Sequence, residues 1–142
     1  MVGYNFQPMF ELQIRDLTKR QTVRADRKRH AQVGEPMQLF CDQRSRKCRR
    51  LLSPDPTCIR VRRIEITVSD LLPVRIAGIQ IEGIPLDREE IELFARADGF
   101  APECVYAFGL HGETARENMG NFWLSRHGAG RFEGVLLHWE PR

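Results

Sequence analysis

Lysine is almost missing from this 142-residue chain: among its 22 basic residues only Lys19, Lys28 and Lys47 are not arginine. Arginine stays charged at any ordinary pH, whereas a desolvated lysine can lose its proton. A lysine kept against such a background points to a need for the amine. Long apolar runs are also missing. No stretch approaches the roughly 18 residues of a membrane span, and the N-terminus lacks a signal-peptide core, so the expectation is a cytoplasmic protein without a membrane partner. Cys41, Cys48, Cys58 and Cys104 form no C-x-x-C pair, and a cytosolic compartment disfavours disulfides. Buried strand cysteines are expected; a zinc site from Cys41, Cys48 and Cys58 with a histidine is the alternative. His30, His111, His127 and His138 show no metal spacing, and neither a metal nor a cofactor is expected. Repeats are absent, and the length suits one domain, residues 1–142, with one core.

What the chain does have is polarised charge. Residues 1–63 hold 15 Lys or Arg against 6 Asp or Glu, and residues 64–142 hold 7 against 13, within a net charge of +3. Three clusters carry the basic half, at residues 24–30, 44–50 and 60–63. Arginine forks match phosphate oxygens bidentately, so a basic face is the electrostatic footprint of an RNA binder. Arg20, Arg24, Arg27, Lys28, Arg29, His30, Arg44, Arg46 and Lys47 are the candidate contacts. An ordinary solvated surface, paired with the acidic segment at Glu89, Glu90 and Glu92, is the alternative.

The run from Thr18 to Arg24 carries the densest chemistry. Strand alternation places Thr22 and Arg24 on one face, and Lys19 at the start of the strand can turn toward them. A solvated basic strand fits the same run. Before it, Phe10, Ile14 and Leu17 recur at helical spacing after Pro8, so residues 8–17 read as a short amphipathic helix that delivers Lys19. A strand over 21–25, a charged mobile loop over 26–34 and a strand over 37–41 with a hairpin partner in 46–51 follow, then a turn at 53–56. Residues 58–68 alternate clearly, and the apolar side switches midway, which suggests a bulge or a strongly coiled strand. A strand over 74–84 precedes a helix capped by Asp87, with Ile91, Phe94 and Ala95 as its core stripe and Gly99 as its end. Residues 103–127 read as two helical pieces broken near 109–112, and 135–139 as the last strand.

These pieces stand in the order of a known family. They are Tyr4-Asn5-Phe6 with the helix after Pro8, the Lys19/Thr22/Arg24 motif, Val33-Gly34-Glu35-Pro36-Met37-Gln38-Leu39, Phe94-Ala95-Arg96-Ala97-Asp98-Gly99-Phe100, and Phe132-Glu133-Gly134-Val135-Leu136-Leu137-His138-Trp139. In this the chain resembles the ASCH domain of the PUA-like superfamily over nearly its whole length. The resemblance implies an α+β fold, a small PUA-like β-barrel with helices closing one end, and a cleft that binds RNA or a modified nucleoside. Relatives include an amidohydrolase that deacetylates N4-acetylcytidine through a lysine, a threonine and a glutamate, and a reported ribonuclease. By motif these roles fall on Lys19, Thr22 and Asp98. The chain departs from the pattern at Leu17, where a glycine is usual, at Glu35, which replaces an aspartate, and at Asp98, one methylene shorter than glutamate.

If the trio converges, Thr22 attacks an amide carbonyl, neutral Lys19 takes its proton, and Asp98 orients the lysine or shuttles a proton. Arg24 or a backbone N–H would steady the oxyanion. The structural alternative is an ion pair of Lys19 with Asp98 and a turn capped by Thr22. A base needs a stacking surface, for which Tyr4 and Phe6 lead and Phe40, Phe122 and Trp123 follow; Trp139 reads as core. Three functions compete: an amidohydrolase acting on N4-acylated cytidine, a non-catalytic RNA-binding module, and a ribonuclease.

Overall fold

Strand alternation, proline and glycine punctuation and two helix caps divide this chain into short elements, which a computed structural model describes for residues 2–142. Strand β1 (Val2–Phe6) leads through a 3₁₀ turn (Pro8–Phe10) into α1 (Glu11–Arg15), and β2 (Gln21–Ala25) follows. β3 (Met37–Cys41), β4 (Arg49–Arg50), the long β5 (Thr57–Val68), β6 (Ile76–Ile81) and β7 (Ile84–Pro85) come next. The helical segment holds α2 (Arg88–Ala95), a π-helical turn (Arg96–Phe100), α3 (Pro102–Val105), a second 3₁₀ turn (Tyr106–Phe108) and α4 (Ala115–His127); β8 (Gly130–Glu140) closes the fold. The architecture is α+β, and no helix among the described residues is long and apolar enough to cross a membrane.

The helix starts follow local chemistry. Asp87 accepts from the Glu90 N–H at 2.8 Å while Glu90 accepts from the Asp87 N–H at 2.9 Å, a reciprocal cap for α2. Thr114 accepts from the Glu117 N–H at 3.1 Å and starts α4.

The expected closed barrel does not form. The strands make two sheets, β1-β3-β4 and β2-β8-β5-β6-β7, joined at one corner by the Pro36–Thr57 bridge. β1 runs parallel to β3 and β2 antiparallel to β8, so β1 and β2 are edge strands with no ladder between them. The Arg24 side chain stands in that gap, its Nη2 donating to the Asn5 carbonyl at 2.7 Å. A side chain takes the place where a backbone ladder would close the ring.

β5 carries one bulge: Cys58 faces Trp139 and Arg60 faces His138, which leaves Ile59 over and 41% exposed. The change of apolar side falls later, between Val61 and Ile64, where the pairing with β8 runs without a shift, so it belongs to the twist of the long strand and not to the bulge. After it Ile64, Ile66 and Val68 point inward. The core between the layers is built on Trp139, Tyr4, Phe100, Met37, Leu39, Leu136 and Met119, all essentially inaccessible. Cys41 and Cys58 are buried in β3 and β5, Cys104 is half-buried, and Cys48 is exposed. The loop after β2 is anchored: the Tyr4 hydroxyl meets His30 Nδ1 and the Ala31 N–H, both at 3.0 Å, and His30 Nε2 meets the Ala25 carbonyl at 2.9 Å.

Candidate functional site

A cavity of about 530 Å³ opens at the seam between the two edge strands, lined by β1, β2, the π-helical turn, the end of α4 and Phe132 of β8. Lys19, Thr22 and Asp98 all line it and are 2%, 5% and 5% exposed. The chain reaches Lys19 through a tight turn in which Leu17 has φ +69°. That left-handed conformation costs a leucine about 1 kcal/mol and a glycine almost nothing, and Leu17 is the position where the resembled family usually carries glycine.

Lys19 Nζ donates to the main-chain carbonyl of Asp98 at 2.6 Å and lies 3.5 Å from Asp98 Oδ1. Gln21 Nε2 donates to the same carboxylate oxygen at 3.3 Å. The shorter aspartate therefore holds the lysine chiefly through backbone, with the carboxylate alongside. Burial holds the Lys19 amine below its ordinary range, opposed by the Asp98 carboxylate and assisted by Arg24. Burial raises the Asp98 carboxyl above the usual carboxylate range, opposed first by Lys19. Desolvation thus drives both partners toward their neutral forms. A neutral amine keeps two protons, enough to hold the Asp98 carbonyl, and presents a lone pair.

Arg24 Nε donates to Thr22 Oγ1 at 3.1 Å, which leaves the threonine proton free to point elsewhere. Burial, with Arg27 adding to it, lowers the Arg24 guanidinium to about 10. Cations and rings alternate along this wall. Arg27 lies 4.4 Å from the Tyr4 centroid, Arg24 5.5 Å from Tyr4 and 4.7 Å from Phe6, and Lys19 4.7 Å from Phe10.

The remaining candidates are scattered. Phe6, Arg24, Arg27 and His30 line the cavity, while Tyr4 is buried behind it as the anchor of His30. Arg20 is exposed outside it and donates to the Leu17 carbonyl at 2.8 Å. Lys28 is exposed outside it, and Arg29 is ion-paired with Glu35. Arg44, Arg46 and Lys47 sit on the exposed β3–β4 turn, also outside it. Phe122 and Trp123 line the cavity and Phe40 does not.

Sequence reasoning missed Phe10, Gln21, Arg126, His127 and Phe132. A signal for two of them existed: Phe122/Arg126 and Trp123/His127 are i,i+4 pairs in the last turns of α4. In the structure Arg126 lies 5.3 Å from the Phe122 centroid and the Trp123 and His127 rings are 4.4 Å apart. Among the described residues no three His, Cys, Asp or Glu side chains gather as a metal site.

Comparison with protein-family models, with curated proteins and with solved structures finds no match for this chain. Fold and site define an α+β protein with a cavity at the seam of two edge strands and a buried lysine, threonine and carboxyl at its floor.

Proposed function

We propose that this protein is an amidohydrolase that removes the acyl group from N4-acylated cytidine, acting in the cytosol on a modified nucleoside or on RNA, within an ASCH-type, PUA-like fold. One observation carries the reading: the neighbouring Lys19 and Thr22 share the buried floor of one cavity with Asp98 from far along the chain, and a guanidinium rests on the threonine hydroxyl. Thr22 Oγ adds to the acyl carbonyl carbon as its proton passes to Lys19 Nζ. The C–N4 bond then breaks, Lys19 returns the proton to the leaving N4 amine, and cytidine departs. Water, deprotonated by Lys19, cleaves the acyl-threonine to a carboxylic acid and restores the hydroxyl. Arg24 favours charge on Thr22 Oγ1, and Asp98 with Gln21 fixes the lysine.

A second reading has its own support. Arg20, Lys28, Arg44, Arg46 and Lys47 make no ion pair among the described residues, so a basic surface outside the cavity stays free for phosphate, as an RNA-binding module or a ribonuclease would need.

The test incubates purified protein with N4-acetylcytidine and with labelled RNA and follows acetate release and strand scission together. Acetate release is expected, with Lys19→Arg and Thr22→Val each lowering it by at least ~100-fold, since arginine keeps the charge but cannot serve as base. A parent protein that releases no acetate, or variants that match the parent, would end the hydrolase reading in favour of RNA binding; scission would favour the ribonuclease.

A further inference from the structure

The hydrolase reading uses the floor of the cavity and leaves its mouth unexplained. Exposure rises along the walls: the floor trio is buried, His30 is half-buried, and Arg27, Arg126 and His127 are exposed. Rings line the same cavity, those of Phe6, Phe10, Phe100, Phe122, Trp123 and Phe132. The mouth cations come from separate segments, Arg27 and His30 from the loop after β2, Arg126 and His127 from the last turn of α4. Each arginine rests against a ring, Arg27 at 4.4 Å from Tyr4 and Arg126 at 5.3 Å from Phe122. Arg126 donates no side-chain hydrogen bond among the described residues, whereas Arg27 gives Nε to the Arg29 carbonyl at 2.9 Å and Nη2 to the Gly3 carbonyl at 3.2 Å and keeps Nη1 for an acceptor.

Counter-charge is missing at this level. The cavity is lined by two carboxylates, Asp26 and Asp98. Asp26 accepts from Arg63 Nη1 and Nη2, at 2.5 and 3.1 Å, and Asp98 belongs to Lys19 and Gln21. Arg27 and Arg126 form no ion pair among the described residues. A neutral nucleoside would satisfy the floor and the rings and leave the Arg126 fork and the positive charge of Arg27 without a counter-ion.

We propose that the ligand of this cavity is a phosphorylated nucleoside, its base among the rings, its acyl group at the floor, and its phosphate at the mouth on Arg27 and Arg126. The inference rests on the reading of the floor as an acylcytidine site and adds the anionic half of the substrate. The Arg126 fork offers a phosphate a charge-assisted bidentate contact and Arg27 Nη1 a single one, the strongest hydrogen bonds available at a partly exposed site. The same phosphate can come from a free monophosphate or from an RNA chain.

Trp123 supplies the readout, because it lines the cavity whereas Trp139 is fully buried in the core. Fluorescence titrations with N4-acetylcytidine, its 5′-monophosphate, inorganic phosphate and a short single-stranded RNA carrying the acetylated base are compared at low salt. The monophosphate is expected to bind at least ~10-fold tighter than the nucleoside, and inorganic phosphate at least ~100-fold more weakly than the monophosphate. Arg126→Gln, at an exposed helix position, should remove part of the preference, and Arg27→Gln with Arg126→Gln should bring it below ~3-fold; Arg88→Gln, outside the cavity, should keep it. RNA binding tighter than the monophosphate assigns the phosphate to a chain, and weaker binding to a free nucleotide. Equal affinities for nucleoside and monophosphate, a preference that survives in the double variant, or inorganic phosphate as tight as the monophosphate overturns the proposal. Acetate release from the same samples separates the two readings. Preference without turnover sinks the hydrolase and keeps the phosphate site, equal turnover of nucleoside and monophosphate does the reverse, and no binding of any ligand ends both.

Discussion

At the residue scale the site depends on one backbone position as much as on its polar groups. Gly99 has φ +102°, and a Cβ there would lie 2.8 Å from Phe10 Cδ1 and 3.1 Å from Lys19 Cδ. Gly99→Ala therefore meets two costs, the left-handed backbone at about 1 kcal/mol and a collision with a packed ring at about 1–3 kcal/mol. Gly109 is the control, with φ +92° and nothing within 4 Å of its added Cβ. Gly109→Ala should lose about 1 kcal/mol in denaturant unfolding and Gly99→Ala about 2–4 kcal/mol. Equal losses would mean that Phe10 and Lys19 yield without resistance. Glycine at a helix end was legible in the sequence as a cap. Its closeness to the lysine stem was not, because Lys19 lies 80 residues away in the chain.

At the element scale α4 decides the shape of the cavity, since its last turns carry Phe122, Trp123, Arg126 and His127. Its start is fixed from outside. Both Glu92 carboxylate oxygens accept from the first backbone donors of α4, Ala115 at 3.0 Å and Arg116 at 2.9 Å, which ties α2 to α4 and places negative charge at a helix N-terminus. Glu92→Ala should cost about 1–2 kcal/mol, the range for a lost cap. Hydrogen exchange at the first turn of α4 should quicken, with Glu92→Gln in between; unchanged protection would show that Thr114 alone holds the helix start. The α2 cap is legible as Asp87 and Glu90 three apart in the sequence. The Glu92 tie is not, because helix crossing alone brings the partners together. Of the three acids that the sequence offers as partners for the basic clusters, Glu90 and Glu92 serve as caps instead.

At the scale of the whole molecule, the two sheets meet at a corner and stay apart at the seam, so β5–β8 pairing carries much of the fold. His138 on β8 faces Arg60 on β5, its Nδ1 is buried without a hydrogen-bond partner, and burial, with Arg62 and Arg60, lowers its ring from 6.5 to about 4. Between those two values the unfolded chain binds more protons at this position than the folded one, so its contribution to stability grows as pH rises through the window and is lost as pH falls from 6.5 toward 4. Solvent screening at a ring only half-buried limits this to about 1–2 kcal/mol. Melting temperature followed between pH 7 and pH 4 should fall less steeply in His138→Gln than in the parent; parallel curves would remove His138 from the acid sensitivity of the fold.

Local signals in the sequence determined the elements nearest the site. Proline at the start of the first helical turn, alternation in β2 and the Asp87 cap each act over a few residues, and each stands where its pattern placed it. The Lys19, Thr22 and Arg24 motif was equally readable, since strand geometry sets which side chains share a face. Tertiary structure alone decided that β1 and β2 do not pair, that Arg24 fills the gap between them, and that Lys19 leans on the Asp98 carbonyl. It also decided which arginines border the cavity and which lie outside it on the β3–β4 turn. Those outcomes depend on contacts between segments far apart in sequence, where competing pairings and packing, and no periodicity within a segment, set the energy.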